Sequence, residues 1–154
     1  MTQATLKLAD DKFGRSAARL VYGQFCVQIN ESCFPGPGWS DFVVIVLTWW
    51  CRAVAELLNG ERGPIQVRFM EGPYLAELGP LEGSLLHLVL VEAGLNRRIC
   101  REANVEIGPL IESALWAADR TLMECKNRGW WSRDADELAE ARDKLRREIS
   151  RRLN

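Results

Sequence analysis

Apolar and polar positions alternate in two distinct rhythms along this chain, and the change between them marks its elements. Leu6 and Leu8 share a parity in a short strand predicted over Thr5 to Leu8. A longer strand is predicted over Ala18 to Asn30, with Val21, Phe25, Val27 and Ile29 on one face. Tyr22, Gln24, Cys26 and Gln28 occupy the other face, as expected of a half-buried antiparallel strand. At Ser40 the period lengthens. Phe42, Ile45, Val46, Trp49, Trp50, Ala53, Val54 and Leu57 recur at three- and four-residue steps, and Val43, Val44, Leu47 and Cys51 fill the opposite side. A helix apolar nearly all round must be covered on more than one face. The spacing predicts Ser40 as its N-cap, Asp41 at the positive end of the helix dipole, Trp39 and Val44 as a hydrophobic staple, and Asn59-Gly60 as its end. Its apolar run is broken by Thr48 and Arg52, which reads as a buried core helix and not as a membrane span.

Period two returns afterwards. Ile65, Val67 and Phe69 alternate with polar neighbours, Glu71-Gly72-Pro73 turns the chain, and Tyr74 to Leu78 is a short strand. Ser84 to Glu92 is apolar on both faces and is placed centrally in the sheet. Arg97 to Ile107 is predicted with Ile99, Ala103, Val105 and Ile107 inward. Two helices close the chain. One is predicted to start with Pro109 at its first position, carrying Leu110, Ile111, Ala114, Leu115, Ala118 and Leu122. The other is capped by Ser132 and has few apolar positions, Leu138, Leu145, Ile149 and Leu153. The expected fold is α+β: an antiparallel sheet of about six strands on a central apolar helix, with two further C-terminal helices, as a single domain over residues 1–154.

Charge and composition narrow the chemistry. The net charge is −1 over 154 residues, which gives no field suited to nucleic acid or an anionic membrane. The N-terminus has no basic segment followed by an apolar one, so no secretory signal is expected. Five scattered cysteines without a CxxC pair argue against zinc and for reduced thiols in a cytoplasm. His87 is the one histidine, inside an apolar strand, and is expected to be satisfied in or beside the core. No GxxxxGK[ST] or GxGxxG motif is present, and Gly36-Pro37-Gly38 reads as an elbow that aims the helix. Trp130-Trp131 is expected to pack between the last two helices. No cofactor or metal site and no catalytic cluster is expected. Glu71, Glu77 and Glu82 lie around turns with Tyr74 and Trp39 close by, a combination suited to docking a basic protein.

The segment Phe34-Pro35-Gly36-Pro37-Gly38-Trp39-Ser40-Asp41-Phe42, running into Val46-Leu47-Thr48-Trp49-Trp50, resembles small bacterial immunity proteins. These are the cognate inhibitors of polymorphic-toxin and contact-dependent growth inhibition systems. Phe69-Met70-Glu71-Gly72-Pro73-Tyr74 resembles the same group, and the likeness covers roughly residues 20–78. It implies a cytoplasmic, non-enzymatic protein that binds one toxin domain, often a nuclease, and blocks its active site or substrate access. Trp39, Asp41, Glu71, Tyr74, Glu77 and Glu82 are then the expected partner-binding residues, the acids facing toxin lysines or arginines. The alternative is a homo-oligomeric structural or regulatory subunit, a homodimer joined through the last helix and the tryptophans. A small enzyme using loop carboxylates is the third reading.

Overall fold

The structure is a computed structural model and describes residues 2–153, the side chain of Leu153 excepted. The fold is α+β, with nine strands in two antiparallel sheets and three helices among the described residues.

In the first sheet β3 (Val21–Ile29) is the spine. It pairs with β1 (Ala4–Leu8), and also with the short β2 (Gly14–Arg15), β4 (Ser32–Phe34) and β5 (Ser40–Asp41). Its alternation holds: Val21, Phe25, Val27 and Ile29 are buried. The second sheet runs in sequence order, β6 (Ile65–Arg68), β7 (Tyr74–Leu78), β8 (Leu85–Glu92) and β9 (Arg98–Glu106). Each hairpin turn is short, so neighbours in sequence become neighbours in space.

Helix α1 (Val43–Leu58) lies at the centre. Trp50, Val46, Leu47, Cys51 and Val54 have no measurable exposure, as an all-round apolar helix requires. Helix α3 (Arg133–Leu153) lies along α1 and spends its apolar stripe there, burying Ala135, Leu138, Ala141 and Leu145. Helix α2 (Ile107–Asn127) packs against α1, α3 and the edge of β1, where Leu6 N–H donates to Ser113 Oγ at 2.8 Å. That bond satisfies an amide on a strand edge, where unpaired groups invite aggregation.

Four expectations are corrected. The strands divide between two sheets, since those before α1 pair around β3 and those after it form their own ladder, and Ser40–Asp41 adds to β3 and not to a helix. Ser40 is therefore not an N-cap: α1 starts at Val43 after Phe42, with no side-chain cap, and the proposed staple positions shift with it. Helix α2 begins two residues before Pro109, at Ile107. Proline is tolerated there too, because amides of the first turn lack helical partners. Finally, Ile99 is half exposed and not inward. The register slips between Leu90 and Val91, making Cys100 an extra residue in β9, and a bulge reverses which side chains face the core.

Thr121 is fully buried on α2, and its hydroxyl has no hydrogen-bond partner among the described residues. Thr121→Val keeps the shape and removes the unpaired group. It should stabilise the chain by about 1 kcal/mol in urea unfolding.

Candidate functional site

Asp41 organises one end of the molecule. It is 1 % exposed, and its carboxylate accepts four hydrogen bonds. Trp39 Nε1–H donates at 3.0 Å and Phe42 N–H at 2.7 Å. Met70 N–H donates at 3.2 Å and Glu71 N–H at 3.3 Å, from the turn between β6 and β7. The carboxylate at the start of α1 is thus the protein's own, and it ties the two sheets together. Its charge is spent internally, so Asp41 presents nothing outward.

The turn it holds is built around Gly72. That residue has φ of +70°, and a Cβ there would sit 3.0 Å from the Tyr74 ring and 3.2 Å from Trp39. Only glycine suits both the backbone and the close approach. The Trp39 and Tyr74 rings meet edge to face at 5.3 Å, and Phe34 meets Tyr74 at 5.6 Å in the same manner. Both Trp39 and Tyr74 stay half-buried, with Glu71 exposed beside them and Met70 41 % exposed.

The hairpin between β8 and β9 stands at the same end. Ala93 N–H donates to Pro73 O at 2.6 Å, and Tyr74 pairs with Glu92, which pairs in turn with Arg98. Leu95, at the hairpin tip, is wholly exposed, and Ile99 is 49 % exposed. One end of the second sheet therefore carries Trp39, Met70, Glu71, Tyr74 and Leu95, while Ile99, paired with Val91 beside Leu75, lies on the face opposite Tyr74. Of the six residues singled out in the sequence, the structure brings Trp39, Asp41, Glu71 and Tyr74 together here. Glu77 lies part-way along β7, where it accepts from Gln66 at 3.2 Å and pairs with Arg97. Glu82 is exposed beyond the far end of β7, which at about 3.3 Å per residue is at least ~13 Å from Tyr74.

No family model, curated protein or solved structure matches this chain.

Met70, Leu95 and Ile99 were not singled out in the sequence. A leucine between Gly94 and Asn96 carries a usable signal, since a turn offers it no core to enter. Ile99 carries none, because the bulge that exposes it leaves no mark in the alternation.

Other candidates resolve differently. Among the described residues no group of three or more His, Cys, Asp or Glu could hold a metal ion. No helix there is long and apolar enough to cross a membrane. Cys26 and Cys51 are buried, and burial pushes each thiol up to about 12. The Trp130 ring is flanked by Arg128 at 4.8 Å and Arg15 at 5.8 Å. His87 is exposed on the outer face of the second sheet and not in the core. Its Nδ1 lies 2.9 Å from Asn104 Oδ1 and its Nε2 2.8 Å from Glu102 Oε1.

Two acceptors facing both ring nitrogens favour the imidazolium. The Asn104 bond raises the His87 pKa most, Glu102 adds to it, and partial desolvation opposes them. A raised folded value means that the contribution is fully present below the unfolded pKa of about 6.5 and is lost as pH rises through the folded one. An NMR titration should place His87 above the ordinary value, and either Asn104→Ala or Glu102→Gln should lower it. Solvent screening keeps the associated stability small.

Proposed function

We propose that this chain is a cytoplasmic immunity protein that binds one cognate toxin domain and neutralises it by covering its active site or substrate path. The observation that carries this reading is the placement of Trp39, Met70, Glu71, Tyr74 and Leu95 at one end of the second sheet. Aromatic and apolar side chains rimmed by charge are the composition of binding hot spots. Asp41 supplies a second requirement. A turn already held by internal hydrogen bonds loses little freedom on binding, so more of the contact energy appears as affinity. The resemblance of residues 34–50 and 69–74 to immunity proteins points to the same class, and the occlusion needs no catalytic group from this chain.

The test is co-expression with the toxin domain encoded just upstream, scored as cell survival. Rescue is expected, and its absence with soluble protein present overturns the reading. Glu71→Lys should weaken the purified complex more than tenfold in calorimetry, because breaking one charge pair in a buried contact costs about 2–5 kcal/mol. Glu82→Lys, at the far end, should leave it unchanged.

One observation favours the homodimer instead. Trp116 and Met123, two turns apart on α2, are 50 % and 58 % exposed. Light scattering separates the readings, since a stable dimer that ignores the toxin supports the second.

A further inference from the structure

A groove of about 280 Å³ opens beside this end of the sheet, lined by Ser32, Phe34, Tyr74, Leu90, Arg98 and Arg101 among others. Tyr74 belongs both to the groove and to the exposed cluster. The bulge at Cys100 decides what the groove contains. In a regular strand residues 99 and 101 share a face. Here Ile99 pairs with Val91, itself buried, on the face opposite Leu90, while Arg101 pairs with Leu90 of the central core. Bulges re-aim side chains in this way and are common beside binding sites.

The two arginines of the groove differ in their partners. Arg98 is met by Glu92 at 3.2 Å. Arg101 is half-buried and takes part in no ion pair or side-chain hydrogen bond found among the described residues. No carboxylate lines the groove. Arginines at two other cavities have polar company: Arg152 donates to Leu58 O at 3.3 Å, and the cavity lined by Arg52 and Arg147 also holds the carboxylates Glu56, Glu140 and Asp143. A partly desolvated guanidinium is costly until a partner satisfies it. Its planar fork fits a carboxylate through two parallel bonds, and apolar walls strengthen that pairing. Ser32 and Tyr74 bring hydroxyl donors to the same space.

We infer that this groove receives an aspartate or glutamate side chain of the bound protein partner, with Arg101 as its counter-charge. The inference rests on the partner-binding reading above and adds a second sign to the contact. Glu71 faces a cation of the partner from the turn, and Arg101 accepts an acid in the groove. Opposite charges at fixed separation set the register of docking and exclude partners with the pattern reversed.

The test uses two short peptides, acetylated and amidated, identical except for one glutamate or glutamine. Each is titrated into the ¹⁵N-labelled full chain, and backbone amides and arginine Nε–H signals are followed. The glutamate peptide should shift Arg101 Nε–H and the Ser32 and Tyr74 amides saturably, and bind at least fivefold tighter than the glutamine peptide. Arg101→Gln should erase that preference, and Arg98→Gln should keep most of it. Equal binding of both peptides, or binding of neither, overturns the inference while leaving toxin rescue to stand on its own result. Failed rescue with glutamate-selective binding in the groove overturns the immunity reading instead. The comparison on the unaltered chain suffices even if a variant folds poorly.

Discussion

Asp41→Ala should lower the unfolding free energy by about 3–5 kcal/mol, measured as the shift of the urea midpoint at unchanged slope. The residue is buried, and its carboxylate accepts from Trp39 Nε1–H and from the amides of Phe42, Met70 and Glu71. Hydrogen bonds to a charged group contribute about 1.5–3 kcal/mol each, and a buried donor left unpaired costs about 1–3. The sum is smaller than four such figures, because the turn can open and let water reach Met70 and Glu71. That opening is itself measurable. Amide exchange at Met70 and Glu71 should rise far more than exchange in β8, whose ladder does not involve Asp41. Asp41→Asn should fall between, since one oxygen remains while the amide group faces donors. A loss below about 1 kcal/mol for the alanine variant would show that the turn is held by the Trp39–Tyr74 contact alone.

This residue also shows what could be read from the chain and what could not. The helix, its apolar circumference and its Asn59-Gly60 end were visible because three- and four-residue spacing survives any tertiary context. Asp41 was visible as an acid near the start of that helix, which is a local expectation. Its actual partners lie 29 and 30 residues away, and no local pattern encodes them. The two-residue strands have the same origin. Gly14–Arg15 and Ser40–Asp41 exist because β3 offers unpaired edge groups, not because their own sequence prefers extension. One extra residue puts Ile99 and Arg101 on opposite faces, and alternation alone cannot locate a bulge. Trp39, Glu71 and Tyr74 were selected as aromatic and acidic residues near turns, and the structure places them at one end. Glu82 was selected on the same grounds, and the length of β7 separates it from them.

Leu95→Asp should weaken the toxin complex by at least a hundredfold while leaving stability within about 0.5 kcal/mol of the parent. Few substitutions separate binding from folding so cleanly. Leu95 is wholly exposed at the tip of the β8–β9 hairpin, so the folded chain gains nothing from it. Its cost is met only if a partner covers it, and full burial of a leucine contributes about 1.5–3 kcal/mol. Leu95→Ala should remove most of that, a loss of roughly tenfold to thirtyfold. Aspartate adds an unpaired charge to a desolvated contact, which costs several kcal/mol more unless it can swing to solvent. The order parent, alanine, aspartate should appear in dissociation rates, because mutants of one interface differ mainly there. If Leu95→Asp binds like the parent while Glu71→Lys does not, the contact is confined to the β6–β7 turn and the hairpin stands outside it. If both bind like the parent and rescue persists, the toxin grips another face, and the exposed Trp116 and Met123 on α2 become the surface to alter.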